Sequence, residues 1–160
     1  IAAGKTTEFI EKLLGFKAPV IRIMPNINAT VLEAMSAYCC SESVTDDQKE
    51  FVNKLCSSFG KVMPLSESYF PLFCSIAGCA PASAVKNGMN KSVALEIAAQ
   101  TVLGSAKKIL ESDEHPWELI DKVCSPGGTT IEGIVSLQKD GFENAVCNAV
   151  DAALQKDKKV

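Results

Sequence analysis

The sequence has no cluster of lysine or arginine, so nucleic acid is not expected as its main partner. Its net charge is −3 and its pI near 5.2. Histidine occurs once, at His115, and no Cys-x-x-Cys is present. Metal-ligand spacing is therefore absent, and no metal is expected. No apolar run is long enough to span a membrane. The richest, over residues 95–110, is broken by Glu96, Gln100, Lys107 and Lys108, which predicts a buried helix and no membrane partner. No signal peptide is visible. A disulfide framework is also missing. The seven cysteines (Cys39, Cys40, Cys56, Cys74, Cys79, Cys124 and Cys147) are odd in number and scattered. They fit buried thiols in a reducing cytoplasm, so a cytoplasmic location is expected. Finally, no initiator methionine opens the chain. Ile1-Ala2-Ala3-Gly4 reads as the end of a strand entering a turn, and an upstream portion is expected.

What is present is enough for a packed core. The 160 residues are 47% hydrophobic and 22% charged, which suits one domain or two small ones. Thr6 or Thr7 can cap a short helix with Phe9, Ile10, Leu13 and Leu14 on its apolar face and Gly15 at its end. Val20-Ile21-Arg22-Ile23-Met24 predicts a strand, ended by Pro25-Asn26, and Ala34 to Cys40 a second one. Thr45-Asp46-Asp47-Gln48 is a capping box. Behind it Gln48, Phe51, Val52, Leu55, Cys56 and Phe59 share one helix side, Gly60 ends the helix, and Lys61-Val62-Met63 is a short strand. Beyond Tyr69-Phe70-Pro71-Leu72-Phe73 only helices are expected. Leu95, Ala98, Ala99, Val102, Leu103, Ala106, Ile109 and Leu110 keep helical spacing, with Ala94, Gly104 and Ser105 off that face. Pro116 opens a short helix, and Phe142, Ala145, Val146, Ala149, Val150, Ala153 and Leu154 form a last stripe. The fold class is thus a partial α/β piece over residues 1–73, followed by an all-α piece over residues 74–160. The wide apolar faces of the helical piece suit burial in a partner subunit.

Four stretches could carry chemistry. Ser125-Pro126-Gly127-Gly128-Thr129-Thr130 enters a helix through a tight turn. Such a step leaves N–H groups and a positive dipole end facing outward, an anion site with two hydroxyls beside it. The plainer reading is an interhelical turn with a threonine cap. Met24-Pro25-Asn26 ends a strand where an α/β sheet places ligands, and Asn26 could offer an amide to a cofactor; a simple turn is the alternative. Gly4-Lys5-Thr6 matches only the tail of a phosphate loop, and no strand ending in a metal-binding Asp follows. His115, beside Glu114, reads as an exposed helix-start residue.

Taken together, these stretches resemble the pyrroline-5-carboxylate reductase family. The resemblance runs in order through Ile1-Ala2-Ala3-Gly4, Val20-Ile21-Arg22-Ile23-Met24-Pro25-Asn26, Ala77-Gly78-Cys79-Ala80-Pro81-Ala82, Ala98-Ala99-Gln100-Thr101-Val102-Leu103-Gly104, Glu114-His115-Pro116, Ser125-Pro126-Gly127-Gly128-Thr129-Thr130-Ile131 and Gly141-Phe142. It implies an oxidoreductase of proline synthesis with a Rossmann domain for NADPH or NADH. It also implies a helical domain that intertwines into a homodimer, often built further into a decamer. The active site would lie between the cofactor domain of one subunit and the helical domain of its partner. By position, Ala2, Ala3, Gly4, Met24, Pro25 and Asn26 would lie at the cofactor. The N–H groups of Gly127, Gly128 and Thr129 would hold the substrate carboxylate, Ser125 would shape the loop, and Thr130 would be the catalytic hydroxyl near the pyrroline nitrogen.

The chain departs from that family in two places. The opening strand, the Gly-rich phosphate loop and the helices after it, roughly the first hundred residues of a subunit, have no counterpart. About a dozen residues, roughly three helical turns, look deleted after Ala82. The 160-residue chain alone is therefore expected not to bind the dinucleotide tightly. Two other readings stay open. One is a non-catalytic helical dimerisation fragment. The other is a different Rossmann-plus-helical dehydrogenase, such as a 3-hydroxyacid type, which depends on a lysine general acid; Lys86, Lys107 and Lys108 read as surface residues.

Overall fold

The computed structural model describes residues 1–2, 4–76 and 81–157. Ala3, the Ala77-Gly78-Cys79-Ala80 part of the motif and Lys158 and Lys159 lie outside the described residues. By contacts the chain forms two compact units, Ile1–Pro116 and Trp117–Val160.

The first unit is organised on a three-stranded sheet in the order β1 (Ile21–Met24), β2 (Ala34–Cys40), β3 (Gly60–Pro64). β1 runs antiparallel to β2, and β2 parallel to β3. A parallel pair needs a crossover, and α2 (Asp46–Ser57) supplies it. Its capping box forms as expected: Thr45 accepts from Gln48 N, while the Gln48 side chain accepts from Thr45 N. Strand side chains alternate between faces, and the two faces have different cover. Tyr38 packs with Val52 and Cys56 of α2, joined by Ile21, Ile23 and Val62. Met35 and Ala37 pack with Phe70 and Phe73 of α3 (Phe70–Ile76), Ala84 of α4 (Pro81–Lys86) and Ala94 and Ile97 of α5 (Lys91–Glu111). α1 (Thr7–Leu14) precedes the sheet, capped by the Thr6 hydroxyl at Phe9 N and closed by Gly15 at φ +78.

Two expectations are corrected, and the side of α5 that packs is defined. Phe51 and Leu55, placed on the packed side of α2, are exposed; the stripe that reaches the sheet is Val52 and Cys56. Gly60 does not end α2, which stops at Ser57; it opens β3 at φ +148, where a Cβ would collide with the Ala34 backbone. On α5 the face turned to the sheet is the small one: Ala94, Ile97, Gln100, Thr101 and Gly104 are buried, whereas Leu95, Val102, Leu103, Ile109 and Leu110 are exposed.

A polar seam selects that small face. Asn28, 1% exposed, sits in the 3-10 turn Ile27–Val31. It donates to Thr101 O (3.2 Å) and lies at hydrogen-bond limit from Ser105 Oγ (3.5 Å). Gln100 donates to the Glu33 carbonyl and carboxylate, and Lys107 pairs with the same carboxylate at 3.4 Å. Lys108 donates to Thr30 Oγ1. Lys107 and Lys108 are therefore engaged in the seam rather than free on the surface. A Cβ on Gly104 would stand 2.6 Å from both Asn28 Nδ2 and Glu33 O.

The second unit holds α6 (Pro116–Val123, its first residue in the other unit), α7 (Thr129–Lys139) and α8 (Phe142–Asp157). None of its described side chains is buried. Phe142, Val146, Val150 and Leu154 repeat every four residues along α8 and are all exposed. A helix face of this kind needs cover that the unit does not contain.

Gly104→Ala should lower stability by about 1–3 kcal/mol, the range for overpacking, because a backbone carbonyl blocks the new methyl. A urea midpoint unchanged from the parent would refute the seam. A second expectation concerns pH. Burial raises the pKa of Glu67, but hydrogen bonds from Thr7 N, Arg22 and the Thr7 hydroxyl outweigh it, and the group ends below the ordinary glutamate range. A depressed carboxylate adds stability above its unfolded pKa and loses it as pH falls through the folded pKa. The melting difference between the parent and Glu67→Gln should therefore shrink as pH is lowered from 7 to 3. A gap constant across that range would contradict it.

Candidate functional site

In the first unit, the candidate cofactor residues come from two segments. Ala2 and Gly4 precede α1; the Ala2 carbonyl accepts from Lys5 N at 3.3 Å, and Gly4 has φ +68 with nothing within 4 Å of a built Cβ. Ala3 is outside the described residues. Lys5 stacks over Phe9 at 4.6 Å, and Thr6 is taken up by its cap. Two members of the partial phosphate-loop match thus have structural partners. Met24-Pro25-Asn26 leaves the carboxyl end of β1. Asn26 Oδ1 accepts from Met35 N at 3.2 Å, which fixes the side chain and leaves its Nδ2 as the group to offer a ligand. Met24 Sδ accepts from the Cys74 thiol at 2.8 Å.

At the end of the sheet where β2 and β3 finish, a cleft of about 520 Å³ is lined by Tyr38, Cys39, Cys40, Lys49, Pro64, Leu65, Ser66 and Glu67. Its lysine is paired with Asp46 at 2.8 Å. Burial, then the charge of Glu67, push the Cys39 thiol up to about 11 despite Arg22. Burial also raises Cys40. Both thiols stay protonated near neutral pH and are poor nucleophiles. The cleft holds no reactive group.

In the second unit, the turn at Ser125 forms as a hydrogen-bonded reversal. Gly128 N donates to Ser125 O at 2.9 Å, with Gly127 at φ +66. Pro126 then Gly127 is the residue order that a type II turn requires. Gly128 is itself the N-cap of α7, with no side-chain cap bond. The expected threonine cap is absent: Thr129 and Thr130 are the first two helical residues, and both are exposed. The first intrahelical bond from this cap is Glu132 N to Gly128 O. The N–H groups of Thr129, Thr130 and Ile131 precede it and have no acceptor within the helix. Gly128 N–H is turned inward to Ser125, which leaves the N–H groups of Thr129, Thr130 and Ile131 at the open end of the helix. A Cβ at Gly128 would meet the Ser125 hydroxyl, which would have to rotate away, and would stand 3.0 Å from the Ser125 carbonyl. The Ile131 N–H was not among the groups singled out in the sequence, because a backbone N–H carries no residue signature; its place in the first turn was the available signal.

His115 is exposed just before α6. Six cysteines are free among the described residues, and no group of three or more potential metal ligands occurs among them. No helix among them is long and apolar enough to cross a membrane.

The family model described as pyrroline-5-carboxylate reductase dimerisation matches residues 57–160. The chain is similar to the pyrroline-5-carboxylate reductase of Aquifex aeolicus, 37% identical over 171 positions, covering 100% of this chain and 64% of that protein. The Escherichia coli protein of that name is 36% identical, again with 100% and 64% covered. A solved 1-pyrroline-5-carboxylate reductase from Streptococcus pyogenes aligns with TM-score 0.50 and 34% identity, covering 99% of this chain and 65% of that one. The chain belongs to the pyrroline-5-carboxylate reductase family. Its fold corresponds to a partial Rossmann piece with a helical dimerisation region. It spans less than two thirds of the length of these relatives. The alignments run over 171 positions against 160 residues, so the relatives carry a short segment that this chain lacks.

With its raised pKa, Cys39 should react with iodoacetamide at pH 7.5 far more slowly than an ordinary free thiol. Peptide mapping that finds Cys39 labelled as fast as exposed Cys147 would contradict the account.

Proposed function

We propose that the chain serves an oxidoreductase of proline biosynthesis, which reduces 1-pyrroline-5-carboxylate to L-proline with NADPH or, as the alternative, NADH. The observation that carries this is the turn Ser125 to Thr130, which opens α7 with free first-turn N–H groups and two exposed hydroxyls, in a chain of this family. Such a helix start favours a carboxylate.

The residues near Gly4 and Asn26 fit the nicotinamide end of a dinucleotide. Gly4 leaves open space for close approach, and Asn26 keeps an amide donor. By family position Ala2, Ala3, Gly4, Met24, Pro25 and Asn26 would hold that end, and no Gly-rich loop for the pyrophosphate occurs in the sequence. When bound, the dinucleotide supplies the hydride that an imine carbon needs. The chain's own part is to hold and orient. Ser125 fixes the turn by accepting Gly128 N–H, Gly127 supplies the left-handed bend, and Thr129 with Thr130 and Ile131 meets the carboxylate. A threonine hydroxyl is too weak an acid to protonate an amine unaided. Thr130 orients the ring nitrogen or relays a proton from water. Position rather than acid strength then supplies most of the rate.

In this reading residues 1–73 are the carboxyl-terminal part of the cofactor domain and residues 74–160 the dimerisation and substrate domain. The partner is a second copy, in a homodimer or a larger ring such as a decamer. The free cysteines favour a reducing, cytoplasmic setting. A second reading, a helical dimerisation fragment without activity, is favoured by one observation: the second unit has no buried side chain among its described residues.

The complete subunit should oxidise NADPH or NADH when 1-pyrroline-5-carboxylate is added. Thr130→Ala should lower kcat by about 10²-fold, the lower range for a positioned proton-transfer group, with the substrate KM changed by less than threefold, roughly 0.6 kcal/mol. A parent subunit without this activity would move the chain to the fragment reading.

A further inference from the structure

The Glu67 carboxylate is the meeting point of two segments far apart in sequence. One oxygen accepts from Thr7 N at 2.9 Å and from Arg22 Nη1 at 3.0 Å; the other accepts from Thr7 Oγ1 at 2.9 Å. Arg22 is the single arginine of the chain and 7% exposed. Its guanidinium lies over the Phe70 ring at 4.6 Å, so the cation cannot swing away from the carboxylate without leaving the ring. A local helix cap does not account for Glu67. α1 already has its side-chain cap in Thr6, and Glu67 lies 60 positions from Thr7.

Thr7 stands three residues after Gly4, and Arg22 two residues before Met24. Those flanking residues belong to the two stretches of the candidate cofactor locus. From this juxtaposition we propose that Glu67 is a positioning residue. It joins the start of α1 to β1 through one carboxylate and thereby sets the spacing between the Gly4 turn and the Met24-Pro25-Asn26 turn. The functional part of this proposal rests on the reductase reading above; the positional part does not. Three residues reach at most about 11 Å and two about 7 Å, so the carboxylate's partners lie close in the chain to both turns. A ligand held by both turns is sensitive to shifts on the order of 1 Å.

The test compares the complete subunit with its Glu67→Gln and Thr7→Val variants, numbered as here. Glu67→Gln removes the charge that pairs with Arg22. Thr7→Val removes only the hydroxyl bond and is the milder change. Amide exchange should quicken together in residues 4–9 and 21–26, and stay unchanged in residues 34–40, in both variants and more strongly in Glu67→Gln. The KM for the dinucleotide should rise about tenfold in Glu67→Gln, while that for pyrroline-5-carboxylate stays within about twofold. Uniform faster exchange, or a change in one segment only, overturns the proposal. So does an equal change in both KM values, which marks a merely structural role. Should Glu67→Gln fail to fold, Thr7→Val alone decides by the same exchange pattern. Should the parent subunit lack reductase activity, the reductase reading falls by itself, and joint or separate loosening of the two segments still supports or overturns the positional claim.

Discussion

Asn28 inserted against Gly104 is the contact on which the arrangement of this chain depends. A fully buried amide is costly unless it is hydrogen-bonded; here its Nδ2 reaches the Thr101 carbonyl beside Gly104, while its Oδ1 has no partner among the described residues. Gln100, Lys107 and Lys108 add bonds on either side. The seam fixes which face of α5 meets the sheet. Once the small face is inward, the leucine, valine and isoleucine face must be outward. The exposed stripe is therefore a consequence of polar specificity in the core.

The local signals in the sequence were reliable where backbone chemistry decides. The Thr45 capping box, the Gly15 stop, and the Ala34–Cys40 strand appear as expected. Periodicity located helices, but on α2 the shared side included Phe51 and Leu55, which are exposed. Hydrophobic spacing marks a face that some surface will bury, and it does not say whether that surface belongs to the same chain. At the candidate site the Pro-Gly-Gly step was legible, since Gly127 takes the left-handed bend that the turn needs. The inward Gly128 N–H was not, because it depends on the return of the chain to Ser125 O. Likewise no local pattern announced Glu67, whose partners lie 60 and 45 positions away.

Leu95, Val102 and Ile109 recur every seven residues on the exposed side of α5, with Leu103 and Leu110 beside them. A seven-residue repeat keeps a seam facing one neighbour when two helices cross at about 20°. The exposed α8 stripe has the same demand for cover. Membership of a family whose matched region is described as a dimerisation region gives both faces a common explanation. The turn at Ser125 likewise opens a helix in a unit that buries nothing among its described residues, so neither α7 nor α8 is held by a core within that unit.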